Sequence, residues 1–598
     1  MKRKLSLFAI LALFLVSCGQ QAFDDSSWIR VNQLGYLPDS KKVAVFISKG
    51  DKTPSEFALC DSATGKEIKV FTNVTNTGAW SGFTQSARLD FSDFSEDGHY
   101  YIQVGNIKSP TFKINNTVYD GTADFLLKYM RQQRCGFNPY LKDSCHTGDG
   151  FIIYHPTLEG QHMDATGGWH DATDYLQYVA TSANAVYQML LAYKHYPEAF
   201  GDEYQANGMP GANGIPDILD EAKWGMDWLV KMNPKKDMMF NQLADDRDHR
   251  GYRLPNKDTV DYGMGPGVSR PVYYCTGKPQ GLYGNMSRAT GIASTAGKYA
   301  SAFALGSEVL KDHYPEYAKM IKQKAIDAYD YGVKHPGACQ TAPCVSPYFY
   351  EEDNWVDDME LAAAQLALMT GNTKKYVNEA AEYGRQEPIT PWMGADSAKH
   401  YQWYPFMNAG HYLLATAEDG TVSDEFKANM KAGIDAVYGR GKDAPFLNGI
   451  PFIWCSNNLT TAMLTQIDLY KKATGDTSYD YMEAALRDWL FGCNPWGSSM
   501  IVGLPSWGDT PVDPHASYTA INGDPVSGGL VDGPVYSSIF NNLKGVHLKD
   551  GIDVYEAVQP NRMVYHDDNA DYSTNEPTMD GTACLTYYLS AMEARNKK

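Results

Sequence analysis

Two carboxylates three positions apart, Asp171 and Asp174, close the run Gly167-Gly168-Trp169-His170-Asp171-Ala172-Thr173-Asp174. Two such groups aimed at one spot can hold a water molecule and take its proton. A periodic apolar run follows (Tyr178, Val179, Ala185, Met189, Leu190). If it is a helix, the two acids sit near its first turn, where anions are favoured. The plainer reading of the same residues is helix capping. A second acidic motif stands near the other end, Asp571-Tyr572-Ser573-Thr574-Asn575-Glu576-Pro577, and no Lys or Arg lies within four positions of Glu576. Hydrolysis of a glycosidic bond with inversion takes a carboxylic acid to protonate the leaving oxygen. It also takes a carboxylate to activate water on the other face, the two lying about 6.5–9.5 Å apart. Asp171 or Asp174 with Glu576 has that chemistry. The residues alone leave a surface or capping role for Glu576 open.

These groups need a scaffold, and the rest of the chain describes one. At 598 residues it is too long for one core, so two or more domains are expected. From about Trp28 to Asn116 the sequence reads as all-β. Val43-Ala44-Val45-Phe46 and Tyr100-Tyr101-Ile102-Gln103-Val104 are strand-like, and turn signals such as Pro38-Asp39 and Glu96-Asp97-Gly98 separate such segments. This predicts an immunoglobulin-like sandwich that carries no chemical constellation. From about Tyr119 the pattern is helical. Ile218, Ala222, Leu229 and Met232 share one face, and Ala293 to Leu310 is small and apolar enough to pack between other helices. Long loops rich in Gly, Pro and aromatics run between the helices, Tyr262 to Gly267 for example, and a rigid scaffold usually carries its site on such loops.

Composition narrows the partners. A net charge of -19 disfavours nucleic acid and anionic lipid. Aromatics at 13%, with 41 Tyr and 12 Trp, suit a cleft that stacks rings on sugar faces. Lys2, Arg3 and Lys4 precede an apolar segment from Leu5 to Val16, the layout of a secretory signal peptide. Its end, Leu15-Val16-Ser17-Cys18-Gly19, resembles a bacterial lipobox in which Cys18 would be lipidated. The expectation is an exported bacterial lipoprotein, periplasmic or at the cell surface, that meets the membrane only through acyl chains. Of 10 cysteines, 9 remain without Cys18, and an odd number excludes a complete disulfide framework. Cys339 and Cys344 are close enough in sequence to bridge a short loop, a point the sequence leaves open.

Seven ordered blocks then carry a resemblance across most of the chain: Arg131 to Gly136 (RQQRCG), GGWHDATD, Asn213 to Met232 (NGIPDILDEAKWGMDWLVKM), Ser294 to Ala304 (STAGKYASAFA), Trp454 to Asn458 (WCSNN), Phe491 to Ser499 (FGCNPWGSS) and DYSTNEP. Together with Ile29 to Tyr36 (IRVNQLGY), they resemble glycoside hydrolase family 9, in its subgroup with an immunoglobulin-like domain before an (α/α)6 barrel. The resemblance implies a mainly α fold. Residues 1–18 would be a lipoprotein signal peptide, 19–27 a linker, 28–116 the sandwich and 117–598 the catalytic barrel. It implies Asp174 as general base, Asp171 as a second holder of the water and Glu576 as general acid, with His515 and Tyr572 lining the cleft. It also implies a structural zinc on Cys135, Cys145, His146 and His170, a closed tetrahedral donor set. A Cys135–Cys145 disulfide beside two unrelated histidines is the alternative in an exported protein. Asp357 and Asp358 lie where the family often carries a calcium pair, though a solvated acidic loop explains them equally well. No organic cofactor is implied.

The expected activity is endo-cleavage of β-1,4-glucosidic bonds in cellulose, mixed-linkage glucan or xyloglucan by a monomer. An exo-acting β-glucosidase or glucosaminidase on the same barrel is the alternative within enzymes. A non-catalytic glycan-binding lipoprotein is the alternative outside them. Three departures from the family pattern bear on this choice. Thr173 stands where glycine is usual, and so does Cys455. Pro514-His515-Ala516-Ser517 replaces a Pro-His-His-Arg block, so the expected sugar-binding arginine is missing and subsite preference is open.

Overall fold

The computed structural model describes residues 22–346, 350–395, 401–543 and 546–595. Cys18 lies outside them. Alternating apolar residues near the N-terminus give short strands in two antiparallel sheets. One sheet has the order β1 (Ser27–Arg30), β2 (Val43–Ser48), β6 (Gln85–Asp90), β5 (Val74–Asn76). The other runs β4 (Glu67–Phe71), β3 (Phe57–Asp61), β7 (Gly98–Val104), β8 (Ile107–Lys108), with β9 (Phe112–Ile114) also on β7. Their inward residues, Ile29, Phe46, Leu59, Leu89, Ile102 and Phe112, form one buried core that also takes in Phe23, ahead of β1. Buried polar contacts tie the sandwich to the helical part of the chain. Asn32 Nδ2 donates to Asp488 Oδ1 at 2.8 Å, and Gln33 Nε2 to the Gly497 carbonyl at 2.6 Å.

Among the described residues, twelve helices wind in two rings. They are α1 (Thr122–Gln132), α2 (Val179–His195), α3 (Asp217–Met232), α4 (Ala293–Val309), α5 (Pro315–Lys334), α6 (Val356–Thr370), α7 (Thr373–Gly384), α8 (Ala409–Ala415), α9 (Gly420–Gly441), α10 (Ser456–Thr474), α11 (Asp480–Leu490) and α12 (Met579–Ala594). The even-numbered helices close on themselves, α2 on α4, α4 on α6, α6 on α8, α8 on α10, α10 on α12 and α12 on α2. The odd-numbered ones pack outside them. Sequence decides which ring a helix joins. In α4 and α12 nearly every side chain is buried, and small residues let the helices approach on all sides. In α5 the buried residues are Ala318, Ile321, Ala325, Ala328, Tyr329 and Gly332, a single stripe. The result is an (α/α)6 barrel after an immunoglobulin-like sandwich.

The site lies where inter-helix loops meet at one end of the inner ring. Two of them are braced by sheet structure: a hairpin, β10 (Gly136–Asn138) with β11 (Asp143–Cys145), and a four-stranded sheet that includes the two-residue strand Gln177–Tyr178.

Candidate active site

The helix-start reading of Asp171 and Asp174 does not hold. α2 begins only at Val179, after the strand Gln177–Tyr178, and both acids sit in the bend before it. Neither caps a helix. Groups from distant segments shape the bend instead. The Tyr175 N–H donates to Asp248 Oδ2 at 2.8 Å, and the Asp171 carbonyl accepts from the Met579 N–H at 2.9 Å. Upstream, Gly168 takes φ +70°, and a Cβ there would stand 2.8 Å from Trp228 Cγ, so only glycine fits. Trp169 Nε1 donates to Glu221 Oε1 at 2.7 Å, and Arg134 pairs with the same buried carboxylate at 2.7 Å. Three of the ordered sequence blocks therefore meet at Glu221.

The two acids differ in surroundings. Asp171 is 4% exposed, and its Oδ2 accepts from the Tyr350 hydroxyl at 2.6 Å and its Oδ1 from Thr181 Oγ1 at 3.4 Å. Burial, and then the charge of Asp174, push its pKa well above the usual carboxylate range. Asp174 Oδ2 contacts His249 Nε2 at 2.9 Å, while its Oδ1 is buried without a hydrogen-bond partner. Burial lowers the pKa of His249, but the bond to Asp174 and its charge outweigh that and raise it to about 9. At neutral pH a positive charge therefore faces Asp174.

Glu576 does not cap α12, whose N-cap is Thr578. Its Oε1 accepts from the Thr173 N–H at 3.0 Å, which brings the second motif against the first across 403 positions. Burial and the charge of Asp174 push Glu576 up to about 8, so it carries a proton at neutral pH. Thr173 also donates through Oγ1 to the His515 carbonyl at 2.6 Å, a tie that a glycine would lack. Asp571 organises the second motif from beneath. Despite its burial, bonds from His566 Nδ1 at 2.7 Å and from Ser573 and Thr574 hold its pKa below the usual range.

These groups line one cleft of about 810 Å³ that includes Asp171, Asp174, His249, Trp454, His515 and Tyr572 as well as Glu576. The Trp454 and Tyr572 rings stand 5.5 Å apart with planes 34° from each other, an aromatic floor for sugar faces. The His515 ring lies 6.0 Å from that of Tyr572. The arrangement offers a protonated acid, a second carboxyl with one oxygen unpartnered among the described residues, and aromatic rings in the same cleft. Sequence reasoning missed Tyr350, His249 and Asp532. Asp532 is a buried carboxyl on the cleft wall that accepts from Cys455 Sγ at 3.2 Å, so Cys455 too is part of the site's lining. Only the pair Asp248-His249 beside Tyr252 carried a local hint, acid and imidazole next to an aromatic. Nothing near Tyr350 signalled its reach to Asp171.

Among the described residues, one set of four ligand-type side chains converges, Cys135, Cys145, His146 and His170, with donor atoms all within 4.8 Å of one another. His170 Nε2 is 3.3 Å from His146 Nδ1, Cys135 Sγ 3.8 Å from His146 Nδ1 and Cys145 Sγ 3.9 Å from His170 Nε2. A tetrahedral zinc with ordinary bond lengths sets its nitrogens about 3.3 Å apart and sulfur about 3.6 Å from nitrogen. Both thiols are free, and His146 Nε2 is held by Asp258 Oδ2 at 3.1 Å, as an outer-shell carboxylate holds a ligating imidazole. The donors fit zinc. Asp357 and Asp358 do not fit calcium, because the Lys298 ammonium already lies 2.6 Å from Asp358 Oδ2. Cys339 and Cys344 are free thiols with different neighbours. Asn241 Nδ2 donates to Cys339 Sγ at 3.4 Å, whereas Cys344 lies with Asp245 and Asp246.

Residues 119–589 match the model of glycosyl hydrolase family 9, and residues 24–109 that of the cellulase N-terminal ig-like domain. The chain is similar to a xyloglucan-specific endo-beta-1,4-glucanase of Bacteroides ovatus, 25% identical over 632 residues that cover 99% of this chain and 98% of the relative. It is also 25% identical over 605 residues to endoglucanase D of Acetivibrio thermocellus, covering 94% and 83% of the two. Among solved structures, that of a metagenome-derived glycoside hydrolase family 9 endoglucanase is similar with a TM-score of 0.75 at 25% identity, covering 95% of this chain and 99% of that one.

Proposed function

The chain belongs to glycosyl hydrolase family 9 and is a glycoside hydrolase of the endo-β-1,4-glucanase type, and from that premise we propose that it cleaves a plant β-glucan with inversion, xyloglucan being the first substrate to test. One observation carries the mechanism: a carboxyl raised to about 8, Glu576, shares a cleft with Asp174, whose Oδ1 has no partner among the described residues. Glu576 Oε1 is occupied by the Thr173 N–H, so Oε2 presents the proton to the leaving oxygen. Water held between Asp171 and Asp174 attacks the anomeric carbon and passes its proton to Asp174 Oδ1. The glycosidic bond breaks with its electron pair on the leaving oxygen, which takes the proton from Glu576. Tyr350 fixes the rotamer of Asp171 throughout, and Trp454 with Tyr572 carries the sugar rings.

Cys135, Cys145, His146 and His170 would hold a structural zinc, which supplies no chemistry to the reaction and stiffens the segment that continues directly into Asp171. With Ser517 where the family pattern has a sugar-binding arginine, a branched or mixed-linkage glucan fits the site as well as plain cellulose does. Cys18 is taken as the lipidated first residue of an exported monomer anchored by acyl chains. No helix among the described residues is long and apolar enough to cross a membrane. Time-resolved proton NMR of the products from soluble xyloglucan and mixed-linkage glucan tests the reaction. Early α-anomer is the expected result, and early β-anomer would reject the assignment of the two carboxyls.

A further inference from the structure

Lys298 lies on inner helix α4 where it comes closest to α6. A Cβ on the neighbouring Gly297 would stand 2.7 Å from the Asp358 backbone. The lysine side chain is 4% exposed, and its ammonium pairs with Asp358 Oδ2 at 2.6 Å and Glu352 Oε1 at 2.7 Å, both carboxylates being buried. Next to them Asp357, 2% exposed, has neither carboxylate oxygen in a hydrogen bond among the described residues. Burial raises the pKa of Asp357 to about 7 and that of Asp358 well above the usual carboxylate range, and the charge of Lys298 opposes both shifts, so the ammonium is what favours the ionised forms in this cluster.

The cluster also reaches the cleft. Glu352 lies two residues beyond Tyr350, whose hydroxyl holds Asp171 Oδ2 at 2.6 Å. The rest of this short segment is pinned from several sides. The Gln340 amide donates to the Glu352 carbonyl at 2.9 Å, the Asp353 N–H to the Gln402 carbonyl at 2.8 Å, and Arg288 pairs with Glu351 at 2.5 Å. The segment runs on into α6 at Val356, and the Lys298–Glu352 ion pair joins it to the neighbouring inner helix α4.

A calcium ion needs six to eight oxygens at about 2.3–2.6 Å. An ammonium already 2.6 and 2.7 Å from two of the available carboxylates fills the centre such an ion would take. We propose that Lys298 is a built-in cation that stands where Glu352, Asp357 and Asp358 would otherwise bind calcium, and that it thereby positions Tyr350 on Asp171. The protein then gains nothing from calcium at this cluster. Without the ammonium, the same three carboxylates form a calcium site. The kinetic consequence rests on the proposed role of Asp171, whereas calcium binding and melting do not, so failure of that role and failure of this inference read out separately.

The test compares wild type with K298A, both zinc-saturated, across a millimolar CaCl2 titration followed by melting temperature, calorimetry and steady-state kinetics on a soluble glucan. Wild type should be unchanged in all three. K298A without calcium should melt lower and lose roughly tenfold or more in kcat with a much smaller change in KM, the mark of misplaced groups. CaCl2 should restore most of both losses with one ion bound, and K298A/D357N should lose that response. If K298A does not fold, K298Q, which keeps most of the side-chain length without the charge, is titrated the same way. Absence of any calcium response in the folded variant overturns the inference. So does a wild-type stabilisation by calcium that D357N abolishes. A calcium-responsive K298A with wild-type kcat in the absence of calcium overturns the positioning of Tyr350.

Discussion

Replacing Glu576 by glutamine removes the proton that the leaving group needs while leaving an amide of the same shape. At pH 6 an acid of pKa about 8 is about 99% protonated, whereas one at the ordinary 4.5 would be about 3% protonated, so the shifted value raises the reactive form about 30-fold. The wild-type kcat/KM should therefore hold through neutral pH and fall on a basic limb near pH 8. E576Q should lose about 10²–10⁴-fold on natural glucan and lose that limb with it. On a dinitrophenyl cellooligosaccharide, whose leaving group departs without a proton, E576Q should keep near wild-type rates, whereas D174N should fail on both substrates. Stability gives an independent check with a definite sign. The folded pKa of Glu576 lies above the unfolded one, so the native state binds the extra proton and stability falls as pH rises from about 4.5 to about 8. Glutamine removes that fall. The variant should melt above wild type at pH 8 and with it at pH 4, the difference at pH 8 being at most about 5 kcal/mol at 1.36 kcal/mol per pH unit. Equal loss of E576Q on both substrates, or no gain in melting temperature at pH 8, would refute the assignment of Glu576 as a buried, protonated acid.

Chelation with 1,10-phenanthroline should lower both melting temperature and activity, and C135S should be less stable than wild type and insensitive to the chelator; a wild type indifferent to prolonged chelation would remove the zinc. G168A must place a methyl group 2.8 Å from Trp228 Cγ at a backbone φ of +70°, so it should cost roughly 2–4 kcal/mol in urea unfolding. H249N removes the imidazole bonded to Asp174 and should lower kcat severalfold in steady-state kinetics on a soluble glucan. The contribution of His249 to wild-type stability, with its folded pKa raised, should be complete below pH 6.5 and vanish as pH passes about 9, a loss that H249N should not show.

Much of the site was legible because its chemistry is concentrated in short runs. Asp171, Asp174 and His170 fall within five residues, and Cys135, Cys145 and His146 within twelve. Such runs keep their meaning whatever the loop conformation. The contrast between α3 and α4 was legible too, since a helix with a single apolar stripe differs in composition from one that is small and apolar all round. The placement of Asp171 and Asp174 on a helix start failed for a specific reason. Periodicity marks where an amphipathic face begins, but Gln177 and Tyr178 were free to join a strand instead, and residues of other segments supply the partners that hold the bend.

The sequence by itself determined the order of sandwich and barrel, the identities of the three carboxyls and the quartet of sulfur and nitrogen donors. Only the tertiary structure decided what each carboxyl is worth. Tyr350 meets Asp171 across 179 positions, His249 meets Asp174 across 75, and Glu576 meets the Thr173 amide across 403. Lys298 enters the acidic cluster from a different helix. A carboxyl's proton affinity is set by the water it loses and the charges it gains, and both exist only once the loops have converged.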